Sequence, residues 1–297
     1  MSLVIQKLRS FLELIRFSHT LFALPFALAS ATLAWEMANE FYYLDLIGIV
    51  IALISARSAA MAFNRLVDRD IDSLNPRTRG RHIPSGKLSI LQVLCFTILS
   101  SLMFIGSTTI FLLHEPSNPW PLYFSGPILI FILCYSFTKR FTMLAHFWLG
   151  ASLMLSPLSA WIAIAGLTDL LYPTILGFAV LFWVAGFDIF YACQDFEVDR
   201  ELRLHSIPSK LGIPIALHIA KICHALMLLF LFTLATICPV LGKPFLIGLI
   251  PISVLLVYEH ALVSKDNLTQ VNRAFFQVNA VISISLLGLI ILDWFMK

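Results

Sequence analysis

Phe63-Asn64-Arg65-Leu66-Val67-Asp68-Arg69-Asp70-Ile71-Asp72 closes an apolar segment that begins near Leu46. Asn64, Asp68 and Asp72 recur every four residues, a spacing that stacks them on one face of an α-helix. Two carboxylates held that close repel each other, and one stays protonated unless a cation lies between them. A hard, oxygen-seeking cation is the natural partner, since Mg²⁺ combines one or two carboxylates with substrate phosphates. Asp70 falls about 200° around the helix from Asp68 and so points away from that face.

The pattern returns in the second half of the chain. Phe190, Tyr191, Asp195, Glu197 and Asp199 stand in register with Phe63, Asn64, Asp68, Asp70 and Asp72. Each copy has a similar tail: Ile83-Pro84-Ser85-Gly86-Lys87-Leu88 in the first and Ile207-Pro208-Ser209-Lys210-Leu211 in the second. The pseudo-repeat thus spans 63–88 and 190–211, and Asp188 adds an acidic position two turns before Asp195. A single pair of spaced aspartates is common on solvated helix ends. Two in register, each at the mouth of an apolar helix, are not explained that way.

The 297 residues are 59% hydrophobic and only 12% charged, against about 25% charged in a soluble domain. This excludes a water-soluble globule and predicts an all-α polytopic membrane protein. The net charge of +3 gives no footprint for nucleic acid, and nothing calls for an obligate protein partner. The five cysteines are scattered through apolar runs without a C-x-x-C, which predicts buried thiols and no disulfide or metal site.

Nine apolar runs approach the ~20 helical residues that cross a bilayer: 17–38, 45–64, 90–113, 120–137, 143–165, 171–193, 213–237, 244–263 and 275–296. The first follows Lys7, Arg9 and Arg16 but is too long for a signal-peptide core, so it reads as a retained helix. Of the 20 Lys and Arg residues, sixteen fall in the loops that share a side with the N-terminus, while only Lys243 and Lys297 fall opposite. The positive-inside rule then predicts a cytoplasmic N-terminus, cytoplasmic acidic motifs and an external C-terminus, in a membrane of the bacterial inner or plasma type.

Two carboxylate clusters beside cationic loops suit a Mg²⁺–diphosphate. The carboxylates take the metal, metal and Arg/Lys take the phosphate oxygens, and charge on a departing diphosphate is neutralised. At the cytoplasmic mouth of a helical bundle, such a site fits a substrate with a diphosphate head and a long apolar tail. Loss of diphosphate from an allylic carbon gives a carbocation that an electron-rich aromatic ring captures. A transporter with an acidic ion site is the alternative of a different class. Transporter sites, however, lie near mid-bilayer, whereas these clusters lie at one edge. The D-x-x-D-G signature of CDP-alcohol phosphotransferases is missing.

The motif N-x-x-x-D-x-x-x-D at Asn64, Asp68 and Asp72, with D-x-x-Y-x-x-x-D-x-x-x-D at Asp188, Tyr191, Asp195 and Asp199, resembles the UbiA superfamily of membrane prenyltransferases. The likeness is strongest to the 4-hydroxybenzoate polyprenyltransferase branch. It extends to Arg57, to Arg81 with Pro84-Ser85-Gly86, and to Tyr135-Ser136-Phe137-Thr138-Lys139-Arg140. The resemblance implies one integral-membrane domain over 1–297, a nine-helix bundle whose central cavity opens to the cytoplasm. It implies Mg²⁺ ligation by Asn64, Asp68 and Asp72 at one ion and by Asp195 and Asp199 at a second. Asp188 would assist at the second ion or help deprotonate the acceptor, with Tyr191 beside it. Lys139, Arg140 and Arg81 would hold diphosphate. Arg57, Tyr135, Ser136 and His19 would contact the acceptor.

The implied reaction moves a polyprenyl group from polyprenyl diphosphate to an aromatic acid of the 4-hydroxybenzoate type in quinone synthesis. A dihydroxynaphthoate of the futalosine route to menaquinone is the alternative acceptor. Two features depart from the family pattern: Arg65 stands where many members have Asp, and His205 precedes Ser206 where Lys is frequent. His146, His218, His224 and His260 share no metal-ligand spacing and read as structural or interfacial. Glu197, equivalent to Asp70, reads as a bystander.

Overall fold

A computed structural model describes residues 10–15, 20–263, 268, 270, 271 and 274–296, with no strand among them. The long helices are α1 (Thr20–Ala38), α2 (Tyr43–Val67), α4 (Ile90–Ser107), α5 (Trp120–Thr138), α6 (Ala145–Ala165), α7 (Leu171–Ala192), α10 (Ile213–Ile237), α11 (Lys243–Leu262) and α12 (Asn279–Phe295). Short helices α3 (Arg69–Leu74), α8 (Phe196–Glu201) and α9 (Ile207–Leu211) lie between them. Eight segments are long and apolar enough to cross a membrane, and the described apolar part of α1, Ala23–Ala38, is shorter. The run expected over 90–113 tightens at its end into a 3₁₀ helix, Thr108–Leu113. The last run opens with a π-helical stretch, Ala274–Val278.

The chain forms two compact units: 1–20 with 47–137, and 21–46 with 138–297. In the first, Leu14, Ile15, Ala62, Leu66, Leu88 and Val93 make one apolar cluster, and Ala59, Phe104 and Leu129 make another. Helix α4 starts at a capping box, in which the Ser89 hydroxyl accepts from the Gln92 N–H and the Gln92 side chain accepts from the Ser89 N–H. These bonds satisfy two amide groups that a helix start otherwise leaves unpaired. Gly48 keeps α2 slim where the Phe111 ring lies against it: a Cβ there would fall 2.7 Å from the ring.

The second unit is built around α7, whose Trp183, Val184, Ala185 and Phe187 are fully or nearly fully buried. Small residues let its neighbours approach, as expected where lipid supplies no hydrophobic drive between helices. A Cβ at Gly150 of α6 would run into the Leu181 carbonyl, and one at Gly186 would overlap His224 of α10. Ser30 of α1 donates to the Pro157 carbonyl of α6 at 2.7 Å. Deeper in, Trp183 donates through Nε1 to Asn279 Oδ1 at 2.6 Å, and Asn279 donates through Nδ2 to Glu259 Oε1 at 2.7 Å. This chain of donors joins α7, α11 and α12 through side-chain hydrogen bonds in the buried interior.

Candidate active site

Both acidic motifs adopt the same local form. Helix α2 ends at Val67, Asp68 interrupts it with φ −90° and ψ 3°, and α3 resumes at Arg69. Helix α7 passes through a 3₁₀ turn, Cys193–Asp195, then Asp195 interrupts with φ −100° and ψ 9° and α8 resumes at Phe196. The sequence spacing pictured one continuous face, whereas the central aspartate of each motif is a break. The face survives it in the first motif, because Asp68 N–H still donates to the Asn64 carbonyl at 2.9 Å and Asp72 N–H to the Asp68 carbonyl at 2.8 Å.

In the first unit, Asp68 and Asp72 are 2% and 3% exposed, whereas the Asp70 side chain is 81% exposed and lies 3.6 Å from Arg69. Asn64 donates through Nδ2 to Asp68 Oδ2 at 3.0 Å. Buried Arg65, the departure from the family pattern, donates to Asn64 Oδ1 at 3.5 Å. Arg81 donates to Asp72 Oδ1 at 2.6 Å, and Asp72 Oδ2 is buried with no hydrogen-bond partner. The Thr78 hydroxyl donates to the Asp72 carbonyl at 3.1 Å, which folds the 75–89 loop back over the motif. In that loop, burial pushes the His82 imidazole below its ordinary pKa, against the opposing pull of Glu13 3.6 Å away.

Other expected residues of this unit sit deeper along the helices. Arg57 of α2 is half-buried, and its Nε is enclosed without a hydrogen-bond partner. Ser136 of α5 is 2% exposed and its hydroxyl is likewise unpartnered, while neighbouring Tyr135 is half-buried. Phe63 and Phe137 meet edge to face with ring centres 5.8 Å apart. His19 lies outside the described residues.

In the second unit, Asp195 and Asp199 are half-buried and Glu197 is exposed, so the helical period separates the two classes here also. Ser206 donates through Oγ to Asp199 Oδ2 at 2.8 Å while the same oxygen accepts from the Ser209 N–H, capping α9. The His205 N–H donates to the Lys139 carbonyl at 2.7 Å. Lys139 is half-buried and Arg140 exposed just past the end of α5, where a helix favours positive charge. Tyr191 lies 6.2 Å, centre to centre, from the Phe276 ring. Asp188 does not stand alone: His146 Nδ1 lies 2.7 Å from Asp188 Oδ2. No spacing in the sequence joins His146 to the motif. The contact crosses from α6 to α7, and only the tertiary fold brings it about.

The donor set fits Mg²⁺. Among the described residues no three His, Cys, Asp or Glu side chains converge tightly enough to hold a metal alone. Each motif instead offers two carboxylates on one side, the number Mg²⁺ uses when substrate phosphates complete its shell. The enclosed, unpartnered Asp72 Oδ2 is an acceptor oxygen of the required hard character.

A sequence model of the UbiA prenyltransferase family matches residues 23–281. The 4-hydroxybenzoate octaprenyltransferase of Vibrio vulnificus is 30% identical over 280 residues, covering 93% of this chain and 90% of that protein. Its counterpart in Saccharophagus degradans is 30% identical over 253 residues, covering 83% and 79%. Among solved structures, an apo UbiA homologue from Aeropyrum pernix K1 matches with a TM-score of 0.82 at 29% identity, covering 93% of this chain and 98% of that one. A UbiA homologue from Archaeoglobus fulgidus bound to DMAPP and Mg²⁺ shares the fold, with a TM-score of 0.71 at 15% identity and coverage of 97% and 100%.

Proposed function

The chain belongs to the UbiA prenyltransferase family, and from that premise we propose that it moves a polyprenyl group from polyprenyl diphosphate to a small aromatic acid of the 4-hydroxybenzoate type, in quinone biosynthesis with Mg²⁺ as cofactor. The observation that carries this reading is the doubled broken-helix motif, with sheltered aspartates at 68, 72, 195 and 199 and exposed acids at 70 and 197. The relatives named for this reaction support it over most of the chain's length. Because the family match runs through both compact units, the chain acts as one domain.

Asn64, Asp68 and Asp72 would hold one Mg²⁺, and Asp195 with Asp199 a second. The bound metal supplies neutralisation of the charge that gathers on departing diphosphate. Lys139, Arg140 and Arg81 take the remaining phosphate oxygens through charge-assisted hydrogen bonds. The allylic C–O bond breaks with its electron pair going to diphosphate, and the aromatic ring carbon attacks the resulting carbocation. That carbon then loses its proton to a base, the role in which Asp188 would serve. Asp188 and Tyr191 serve the second motif. Arg57, Tyr135, Ser136 and His19 orient the acid, and the planar guanidinium fork of Arg57 suits a carboxylate.

The Lys and Arg distribution supports a cytoplasmic N-terminus and active site, with the C-terminus outside. Purified protein in lipid, given polyprenyl diphosphate, 4-hydroxybenzoate and Mg²⁺, is expected to yield the prenylated acid by mass spectrometry. Prenylation of some other acceptor, with 4-hydroxybenzoate left untouched, overturns the acceptor assignment.

A further inference from the structure

Three successive residues of the loop after the second motif each hold a different element of the candidate site. His205 N–H donates to the Lys139 carbonyl at 2.7 Å, Ser206 Oγ donates to Asp199 Oδ2 at 2.8 Å, and Ile207 N–H donates to His146 Nε2 at 3.3 Å. The opposite nitrogen of that ring, Nδ1, lies 2.7 Å from Asp188 Oδ2. The His146 side chain is 5% exposed and that of Asp188 16%. One imidazole thus joins an acidic residue of α7 to the loop that fixes Asp199.

The chemistry of the two contacts assigns the proton. A backbone N–H has only a donor to offer, so His146 Nε2 must present a lone pair to Ile207. In a neutral imidazole the other nitrogen then carries the hydrogen, and Nδ1–H donates to the Asp188 carboxylate. With its lone pair engaged by the backbone, the ring is not free to take a proton from the substrate. We propose that His146 is a positioning residue: as the Nδ1–H tautomer it orients the Asp188 carboxylate and anchors the 205–207 loop that holds Asp199.

The packing supports this assignment. Gly150, one turn beyond His146 on α6, lets the α6 backbone approach the Leu181 carbonyl of α7 so closely that a Cβ would overlap it. Ile207 is 2% exposed and opens α9 directly after its Ser206 cap. Ring, carboxylate and loop are therefore each held by structure of their own. An imidazole is also the side chain that serves both contacts at once. An asparagine reaches only the Nδ1 position and a glutamine only the Nε2 position.

The inference rests on the prenyl-transfer reading for its consequence and on geometry alone for its tautomer, so the two are tested separately. In full-length protein labelled with ¹⁵N-histidine, the His146 signals are assigned by their loss in His146→Gln. Nδ1 is expected to be protonated and Nε2 bare. Ile207→Pro, which deletes the N–H at a helix position that accepts proline, is expected to disturb that pattern, while Ile207→Ala, which keeps the N–H, is not. In steady-state assays with Mg²⁺, His146→Ala is expected to lose about ten-fold or more in kcat, the usual cost of removing a residue that orients a metal-site group. His146→Asn and His146→Gln should each recover part of the loss.

A proton on Nε2 in the wild type overturns the proposal. So does wild-type kcat in His146→Ala, or His146→Asn and His146→Gln both no better than alanine while folded. Absence of any prenyl transfer by the wild type defeats the functional reading instead, and the ring's tautomer still decides the geometry.

Discussion

Asp72 faces two environments at once: Arg81 donates to its Oδ1 at 2.6 Å, while Oδ2 is enclosed without a partner. The Arg81 side chain is 19% exposed and that of Asp72 4%, so the pair is largely removed from water. Removing only the cation leaves a buried carboxylate uncompensated, at a cost of about 3 kcal/mol. Arg81→Ala should therefore melt below the wild type, and adding Asp72→Asn should restore much of the loss. Mg²⁺ should raise the melting temperature of Arg81→Ala more than that of the wild type, since the ion replaces the lost positive charge. Equal shifts would argue against ion binding at Asp72.

The sheltered and exposed acids make a second contrast. Asp68→Ala and Asp195→Ala should each lower turnover by orders of magnitude, and the double variant should lose far less than the product of the two losses, as for groups that serve one step. Asp70→Asn should be mild, because the Asp70 side chain is 81% exposed. Turnover of each variant at saturating Mg²⁺ checks this. An Asp70→Asn loss as deep as that of Asp68→Ala contradicts the facial assignment.

Much of this arrangement is legible in the chain. The four-residue recurrence of Asn64, Asp68 and Asp72 predicts a shared face, and the 3.6-residue period points Asp70 and Glu197 away from it, where both are exposed. The breaks at Asp68 and Asp195 are not legible, because neither proline nor glycine marks them. The Asp72–Arg81 pair is local enough to suspect from a cationic loop directly after the motif. His146 is beyond reach, since its partners Asp188 and Ile207 lie 42 and 61 residues away. On sequence it is one more histidine in an apolar helix. The departure at 205–206 is informative in hindsight: it is the His205 backbone that meets Lys139, and the Ser206 hydroxyl that meets Asp199.

Close packing of α6 on α7 gives a third prediction. A Cβ at Gly150 would overlap the Leu181 carbonyl, a backbone atom with no rotamer to change. Gly150→Ala should cost about 1–3 kcal/mol as an overpacking change, read as a lower melting temperature in detergent. Because His146 and Asp188 lie on the two helices being separated, kcat should fall as well. Unaltered melting and kcat would mean that the helices slide apart freely.

Under the proposed reading, substitution of Arg57 distinguishes acceptor recognition from diphosphate handling. An arginine inside an apolar helix is costly unless paired, and its enclosed Nε has no partner in the protein. Arg57→Lys keeps the charge and loses the planar fork. It should raise KM for the aromatic acid more than KM for the prenyl diphosphate, with each substrate varied in turn. A stable, active variant with an unchanged acceptor KM rules out a carboxylate grip.

The most direct test of the account is diphosphate release by the purified, lipid-reconstituted wild type, measured with Mg²⁺ and aromatic acid supplied or withheld independently. Rapid release is expected only when polyprenyl diphosphate, Mg²⁺ and the acid are all present, with one prenylated acid formed per diphosphate and activity abolished by EDTA. Full turnover in EDTA, or rapid release with no prenylated product, would contradict it.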